Sequence, residues 1–427
     1  MTLRILAAVL PAVAFAQSNT VTERERMLLD RIAALEERLA AVEKRLPATP
    51  AQTAVADPPT PGKAASALPD TTVSFYFDGY YGWNRNRPFG RENRLRAYDV
   101  LSNSFSINQT GMVVERAADP GGGRRWGYRL DLMAGQATET LQGGAPNETR
   151  PQVYRNLFQA YGTYVLPVGS GLSVDFGKWA SALGPEGNYT KDQINYSRGY
   201  FFHFLPFYHT GFRGTYAVNS KLSAAYWLVN GANQTEDFNG FKSQLGQVVI
   251  KPAKGLSWTI NYYNGQEQRD LAPDVYAGLL LLPVRPIPRA RFHVVDTYAF
   301  WNATDKLTLG AEFDYVIQSA ASNGPRQRVT GGAAYLRYQL SPKTYFGQRY
   351  TRLHDHGGLY SGTQQKLNEL TSTFGFRPAD GFETRLEYRR DFSNTPFFLT
   401  PAPGALAKHQ DTLTLGLLWW FGRNGNW

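Results

Sequence analysis

Acidic and basic side chains alternate at every second position near the C-terminal end of the chain. Glu383, Arg385, Glu387 and Arg389 follow one another in this way, and the residues between them are uncharged. Positions two apart in a β-strand point to the same face, so these four side chains would form one charged row. Rows of opposite charge that face each other across water set up a field that sorts polar molecules by charge. The spacing therefore indicates electrostatic selection rather than covalent chemistry.

The same pattern selects charged residues in other segments with period two. If the apolar positions of each segment face outward, the charged ones face a common interior, and we predict that they line it. These candidates are Arg129, Asp131, Asp175, Arg213, Glu312, Asp314, Arg337 and Arg349, in addition to the four residues above. The alternative is that the charges neutralise one another and only brace the wall.

The sequence carries no recognisable catalytic motif. There is no Gly-x-Ser-x-Gly elbow, no His-Glu-x-x-His and no phosphate-binding glycine loop. The chain has no Cys, so a thiolate metal site is excluded. We predict no enzyme activity, no cofactor and no metal site. The formal net charge of +10 is spread along the chain rather than gathered in a basic tail, which argues against nucleic-acid binding.

The composition favours a sheet with one wet face and one lipid-covered face. Aromatic residues make up 14% of the 427 residues, yet the mean hydropathy is −0.39, because apolar and polar residues mostly alternate. No apolar run long enough for a transmembrane helix follows the first residues. Only helices and closed barrels satisfy all backbone polar groups in hydrocarbon, so a membrane location requires a closed β-barrel.

The N-terminal part divides into three segments before the barrel. Residues 1–16 match a secretory signal peptide, with Arg4, an apolar stretch and Ala14-Phe15-Ala16 as the cleavage site. Residues 17–46 predict a coiled-coil helix in the periplasm, either as a parallel trimer or as a single helix. Its apolar seam consists of Val21, Leu28, Ile32, Leu35, Leu39, Val42 and Leu46. Residues 47–70 form a Pro- and Ala-rich linker.

Residues 71–427 predict an all-β, up-and-down antiparallel transmembrane β-barrel of about sixteen strands. Seven connections between the period-two segments are turn-like, and the eight that alternate with them are mostly longer and more polar. Such barrels have tight turns at the periplasmic rim and longer loops outside. The last strand, with apolar residues from Leu413 to Phe421 and the terminal Trp427, is similar to the signal that barrel-assembly machinery recognises.

Several motifs in the first half of the barrel carry a family resemblance. They are Phe77-Asp-Gly-Tyr-Tyr81, Asn84-Arg-Asn-Arg-Pro88, Arg94-Leu-Arg-Ala-Tyr-Asp99, Asn103-Ser-Phe-Ser-Ile-Asn108, Arg129-Leu-Asp-Leu132, Asp175-Phe-Gly-Lys178, Asn195-Tyr-Ser-Arg198 and Pro206-Phe-Tyr-His-Thr-Gly-Phe-Arg213. Because these motifs occur in this order along the chain, the sequence resembles the OmpL-like β-barrel porin family. The resemblance implies an outer-membrane porin, without a defined substrate.

The third long connection, residues 181–206, is a candidate constriction loop. In general porins the corresponding loop folds into the channel and narrows it. Its candidate residues are Glu186, Lys191, Asp192, Tyr196 and Arg198. The alternative is a loop that caps the outer rim or contacts a neighbouring subunit.

Together these features predict an outer-membrane porin of a Gram-negative-type bacterium that passes small hydrophilic solutes by diffusion. A barrel of sixteen strands would enclose an aqueous channel, and its net charge of about +10 predicts a weak anion preference. The expected partners are outer-membrane lipid, the barrel-assembly machinery, small polar solutes or ions, and two further copies in a homo-trimer. The alternative is a non-conducting structural or adhesive barrel, anchored through its periplasmic coiled coil.

Overall fold

The computed structural model describes residues 70–142, 148, 150–270, 276–277, 280–281, 289–319 and 325–422. The predicted signal peptide and coiled coil, nearly all of the linker, and Trp427 lie outside the described residues. None of the described helices is long or apolar enough to cross a bilayer.

Sixteen antiparallel strands form the barrel, which agrees with the prediction. The barrel is closed because the first strand pairs with the last. The first eight are β1 (Thr72–Asn84), β2 (Ser104–Arg116), β3 (Trp126–Ala134), β4 (Leu157–Leu166), β5 (Leu172–Ala180), β6 (Tyr208–Asn219), β7 (Leu222–Val229) and β8 (Ser243–Ile250). The second eight are β9 (Leu256–Gly265), β10 (Phe292–Asn302), β11 (Leu307–Ser319), β12 (Arg326–Ser341), β13 (Thr344–Asp355), β14 (Gln365–Ala379), β15 (Phe382–Ser393) and β16 (His409–Gly422).

The connections fall on two rims, as the alternation of turns predicts. The turns after β2, β4, β6, β8, β10, β12 and β14 lie on one rim, and the remaining connections lie on the other. Length alone does not separate the two sets, since the turn 117–125 is longer than the connection 320–325. Thr72 and Gly422 both lie at the short-turn rim, because β1 pairs with β2 and β16 in the observed register.

The longer connections contain the remaining secondary structure. Among the described residues these are three short α-helices, α1 (Ala137–Gln142), α2 (Pro151–Tyr154) and α3 (Tyr200–Phe204), and 3-10 turns at Phe89–Arg91 and Thr190–Asp192. Two small ribbons pair Tyr276–Ala277 with Leu280–Leu281, and Phe398–Leu399 with Leu406–Ala407.

Side chains alternate between the outside and the interior along each strand, and β16 shows this clearly. Leu413 and Leu415 are exposed on the outside, whereas Thr414 and Leu418 are buried in the interior. The exposed apolar side chains of all strands form the outer surface that lipid would cover. β16 therefore has the predicted parity.

Candidate constriction inside the barrel

The connection between β5 and β6, residues 181–207, folds into the barrel interior, and we call it the inner loop. It contains a single 3-10 turn at Thr190–Asp192 and the helix α3. The Tyr200 hydroxyl donates to Asp391 of β15 at 2.9 Å. The Tyr345 hydroxyl of β13 donates to the Ile194 carbonyl at 3.1 Å. The inner loop thus reaches the wall about half a turn of the barrel away from its own strands.

Three inward arginines on β13 and β15, the two strands that flank β14, hold the backbone of the inner loop, and we call them the arginine cradle. Arg349 of β13 donates to the Ser197 carbonyl at 2.7 Å, and Arg389 of β15 donates to the Arg198 carbonyl at 2.5 Å. Arg385 of β15 donates to the carbonyls of residues 190 and 195, at 2.9 and 3.0 Å. Because a guanidinium has five N–H donors, each arginine binds the loop and a carboxylate together.

Carboxylates complete this attachment from both sides. Glu387 of β15 accepts from the backbone N–H groups of Tyr196 and Ser197, at 2.6 and 3.0 Å. Glu186 of the inner loop pairs with Arg349 at 2.6 Å, and it accepts from the Gly199 N–H at 2.6 Å. One network therefore joins four predicted interior residues, Arg349, Arg385, Glu387 and Arg389, to three predicted loop residues, Glu186, Tyr196 and Arg198.

Tyr196 fits against the wall at β1 and β16 through a close approach to the backbone. Its hydroxyl donates to Asp78 of β1 at 2.6 Å, and a Cβ at Gly416 of β16 would overlap its ring. At Gly347 of β13, a Cβ would lie 2.7 Å from Cγ2 of Ile194. Glycine at these two inward positions makes room for the inner loop.

The other predicted loop residues act mainly within the loop. Arg198 is buried, donates to the carbonyls of Tyr196 and Gly187 at 2.7 and 2.9 Å, and stacks on Tyr98. Lys191 pairs with Asp192 at 2.6 Å, and burial raises the pKa of Asp192. These charges stabilise the loop conformation.

Two further predicted pairs lie toward the short-turn rim. Arg129 of β3 pairs with Glu115 at 2.6 Å and lies 3.7 Å from Asp131, which also accepts from Tyr189 of the inner loop. Arg213 of β6 pairs with Asp175 at 2.7 Å. The side chains of Arg129 and Arg213 are 12% and 21% exposed, so water reaches both guanidinium groups.

The remaining predicted residues lie on β11, β12 and β15. Glu383 pairs with Arg385 at 2.6 Å and with Arg377 at 2.7 Å. Arg337 is half-buried and stacks on Tyr345 at 4.5 Å. Glu312 and Asp314 point inward from β11 and are buried. All twelve predicted interior residues thus point into the barrel, but only Arg129, Arg213 and Arg337 are more than slightly exposed.

Nearer the long-loop rim, the interior is packed, and we call this ring of side chains the belt. Every strand contributes a buried inward side chain to it. The belt consists of Tyr80, Gln109, Met133, Gln159, Trp179, His209, Val229, Leu245, Tyr263, Val294, Val316, Val329, Leu353, Leu367, Asp391 and Thr412. Leu183, Tyr200, Phe201 and Leu205 of the inner loop pack in the same apolar cluster as the middle of this ring.

The belt differs from the expected aqueous channel. Water in an open bore would leave inward side chains exposed at every level, whereas the belt residues are at most 7% exposed. The physical reason is that apolar residues occupy both faces of several strand ends, as in Val294-Val295 and Tyr315-Val316-Ile317. Burying the inward members against the inner loop removes apolar surface from water.

A second connection also contributes charged residues that the sequence analysis missed. Arg96, in the connection 85–103, pairs with Asp391 at 2.9 Å and with Asp99 at 3.3 Å. Burial raises the pKa of Asp99 to about 6, although the charge of Arg96 opposes this shift. Asp391 continues the alternation of Glu387 and Arg389, so the pattern itself could have identified it. Arg96 lies in a loop, where no period marks a side chain as inward.

Comparisons with known proteins agree with this architecture. The family model described as "Putative beta-barrel porin-2, OmpL-like" matches residues 70–421, which is nearly the whole barrel. A search of curated protein sequences gives no match.

Two solved structures show the same fold at low sequence identity. The anion-selective porin from Comamonas acidovorans is 12% identical, with a TM-score of 0.53, covering 82% of this chain and 99% of its own. The outer-membrane channel DcaP of Acinetobacter baumannii is 11% identical, with a TM-score of 0.53, covering 82% of this chain and 97% of its own. Both structures therefore share the closed-barrel fold with this chain.

Proposed function

Since the chain belongs to the OmpL-like β-barrel porin family, we propose that it lets small hydrophilic solutes cross the outer membrane by passive diffusion. The observation that carries this proposal is the attachment of the inner loop to the arginine cradle, inside a closed barrel. A loop held across the bore by charged groups restricts the width of any passage. We therefore assign the inner loop as the constriction.

The belt sets a condition on this passage. Its side chains are buried together with the inner loop, so solutes pass this level only when Tyr200, Phe201 and their neighbours move away from the wall. The contacts that hold the loop are ion pairs and hydrogen bonds to a few side chains. Loosening them would widen the passage without opening the barrel wall.

The accessible charges favour anions. Arg129, Arg213 and Arg337 are the most exposed of the predicted interior residues, and all three are positive; Arg129 and Arg213 are paired with carboxylates, whereas no described ion pair offsets the charge of Arg337. Positive groups at the entrance of a pore raise the local concentration of anions. The excess of basic residues in the barrel acts in the same direction, so we propose a weak anion preference.

The proposed cellular context follows from the sequence. We infer that the signal peptide directs export, that barrel-assembly machinery inserts the chain into outer-membrane lipid, and that the coiled coil trimerises in the periplasm. No catalysis and no cofactor belong to this proposal.

The belt also favours a second function, that of a non-conducting structural barrel. A packed interior of this kind stabilises a barrel and prevents leakage. In that case the coiled coil would anchor the barrel to a periplasmic partner.

Conductance in a planar lipid bilayer separates the two functions. The purified full-length protein is compared with a variant in which Gly-Ser replaces residues 187–204. The control has Gly-Ser in place of residues 401–405, which are exposed in another long connection. The porin predicts conductance in the wild type, a larger conductance in the first variant, and no comparable increase in the control. A wild-type protein that never conducts contradicts the proposal and supports the structural barrel.

A further inference from the structure

Three carboxylates meet on the interior wall at β10 and β11, two strands before the first strand of the arginine cradle. Asp296 of β10 pairs directly across the strands with Asp314 of β11, and Glu312 lies two residues before Asp314. One oxygen from each carboxylate lies within 4.8 Å of the other two. Like charges directly opposite each other destabilise a sheet, so this placement requires a compensating group.

The hydrogen bonds in this cluster leave several acceptors without donors. Asp296 Oδ2 accepts from Asn261 at 2.6 Å, and Glu312 Oε2 accepts from the Tyr335 hydroxyl at 2.7 Å. Both oxygens of Asp314 and Oδ1 of Asp296 have no donor among the described residues. Asp296 and Asp314 are both 0% exposed, so bulk water does not replace the missing donors.

Other interior carboxylates form ion pairs with arginines. Glu369 binds Arg349, and Asp391 binds Arg389 and Arg96. The described ion pairs include none to Asp296, Glu312 or Asp314. A buried carboxylate without a counter-charge is unfavourable by several kcal/mol, and three together are more so.

We propose that Asp296, Glu312 and Asp314 bind a Ca²⁺ ion inside the barrel. Carboxylate oxygens are the preferred ligands of hard divalent cations. The three oxygens all lie within 4.8 Å of one another, close enough to be drawn around one cation. Ca²⁺ accepts about six to eight oxygen ligands in flexible geometry, whereas Mg²⁺ keeps several waters and uses few carboxylates, so a buried group of three carboxylates favours Ca²⁺. The sequence analysis predicted no metal site, because Asp296, Glu312 and Asp314 do not form a known metal-binding motif.

The site adjoins the beginning of the inner loop. Asn261, which binds Asp296, also donates to the Ala182 carbonyl at 2.8 Å. A Cβ at Gly184 would lie 3.4 Å from Oε1 of Glu312. A bound ion therefore fixes the carboxylates against which residues 182–184 pack, and its removal loosens that end of the loop.

Binding of Ca²⁺ to full-length protein, refolded in detergent without lipopolysaccharide, tests this proposal. After treatment with EDTA, binding of ⁴⁵Ca²⁺ is measured at pH 7.5 by equilibrium dialysis, with Mg²⁺ as competitor. We expect one Ca²⁺ site per chain, which binds Ca²⁺ more tightly than Mg²⁺. In Asp314→Asn the affinity for Ca²⁺ should fall by a factor of about ten or more. Asp305→Asn, in an exposed turn, removes the same charge and should bind as the wild type does.

Folding is checked separately, so that a misfolded variant does not mimic lost binding. Heat-modifiable migration in gels shows whether each variant forms a closed barrel. If Asp314→Asn does not form a closed barrel, Glu312→Gln is used in its place. In the wild type, Ca²⁺ should raise the unfolding temperature. The proposal is overturned if the wild type binds no Ca²⁺ at pH 7.5, in which case the carboxylates hold protons instead. It is also overturned if Asp314→Asn and Glu312→Gln both form closed barrels and bind Ca²⁺ as tightly as the wild type. Neither result depends on solute conduction.

Discussion

Arg349 of β13 binds Glu186 of the inner loop inside the barrel, with 2.6 Å between Nη1 and Oε1. The same guanidinium also contacts Glu369 of β14, and its side chain is 0% exposed. Both carboxylates stabilise the buried arginine, so removing the charge of either one weakens its attachment. This single contact joins residues 163 positions apart in the sequence and attaches the loop to the wall.

Glu186→Gln should weaken this attachment while preserving its shape. Arg349 keeps Glu369, so we expect a loss of about 2 kcal/mol of unfolding free energy, as for a hydrogen bond to a charged group. Denaturant unfolding followed by tryptophan fluorescence measures the loss. Glu139→Gln is the control, because Glu139 is 71% exposed and its ion pair contributes little. Equal stability of the two variants would show that the contact does not hold the loop.

Gly416→Ala should displace Tyr196 from the wall. The new Cβ would overlap the tyrosine ring, and such overpacking usually lowers stability by about 1–3 kcal/mol. Gly246→Ala in β8 is the matched control, since a Cβ there meets no atom within 4 Å. Thermal unfolding of both variants in detergent measures the difference. If the porin function is correct, Gly416→Ala also increases conductance, whereas Gly246→Ala leaves it unchanged.

The barrel could be predicted because its signals are local. The alternation from Leu413 to Phe421 fixes the outward face of β16, and each turn fixes the pairing of the two strands beside it. The inward parity of Arg385 and Glu387 follows from the same period of two. Local patterns suffice for an up-and-down barrel, because every strand pairs with its neighbours in the sequence.

The contacts of the inner loop could not be predicted in the same way. Arg389 and the Arg198 carbonyl are separated by 191 residues, and nothing in either segment identifies the other. The belt left a weak signal in Val294-Val295, where two successive apolar residues interrupt the alternation. Two glycines, Gly347 and Gly416, also marked the path of the loop, but inward glycines occur for several reasons.

Acidification should destabilise the packing of α3 through His203. Its ring contacts Phe204, and burial lowers the pKa of His203 to about 4 from 6.5. The released loop takes up a proton below pH 6.5, whereas the packed loop does so only near pH 4. Stability should therefore fall as the pH decreases from 6.5 to 4, by at most about 3 kcal/mol.

The change in unfolding free energy between pH 7.5 and pH 4 measures the contribution of His203. His203→Gln should show a smaller decrease than the wild type, and His409→Gln, at an exposed position, should match the wild type. The remaining decrease, common to all three proteins, belongs to carboxylates that titrate in the same range. Equal decreases in His203→Gln and the wild type would contradict the assignment.

Arg337→Gln should reduce the preference for anions. Arg337 is half-buried in the interior and stacks on Tyr345, so the substitution removes an accessible positive charge without breaking a described ion pair. The reversal potential in a KCl gradient should shift toward the cation side, because the local concentration of chloride falls. Arg352→Gln, exposed on the outer face of β13, removes the same charge outside the bore and should leave the reversal potential unchanged. Because both variants have the same net charge, a shift common to both would assign the preference to the barrel as a whole rather than to its interior.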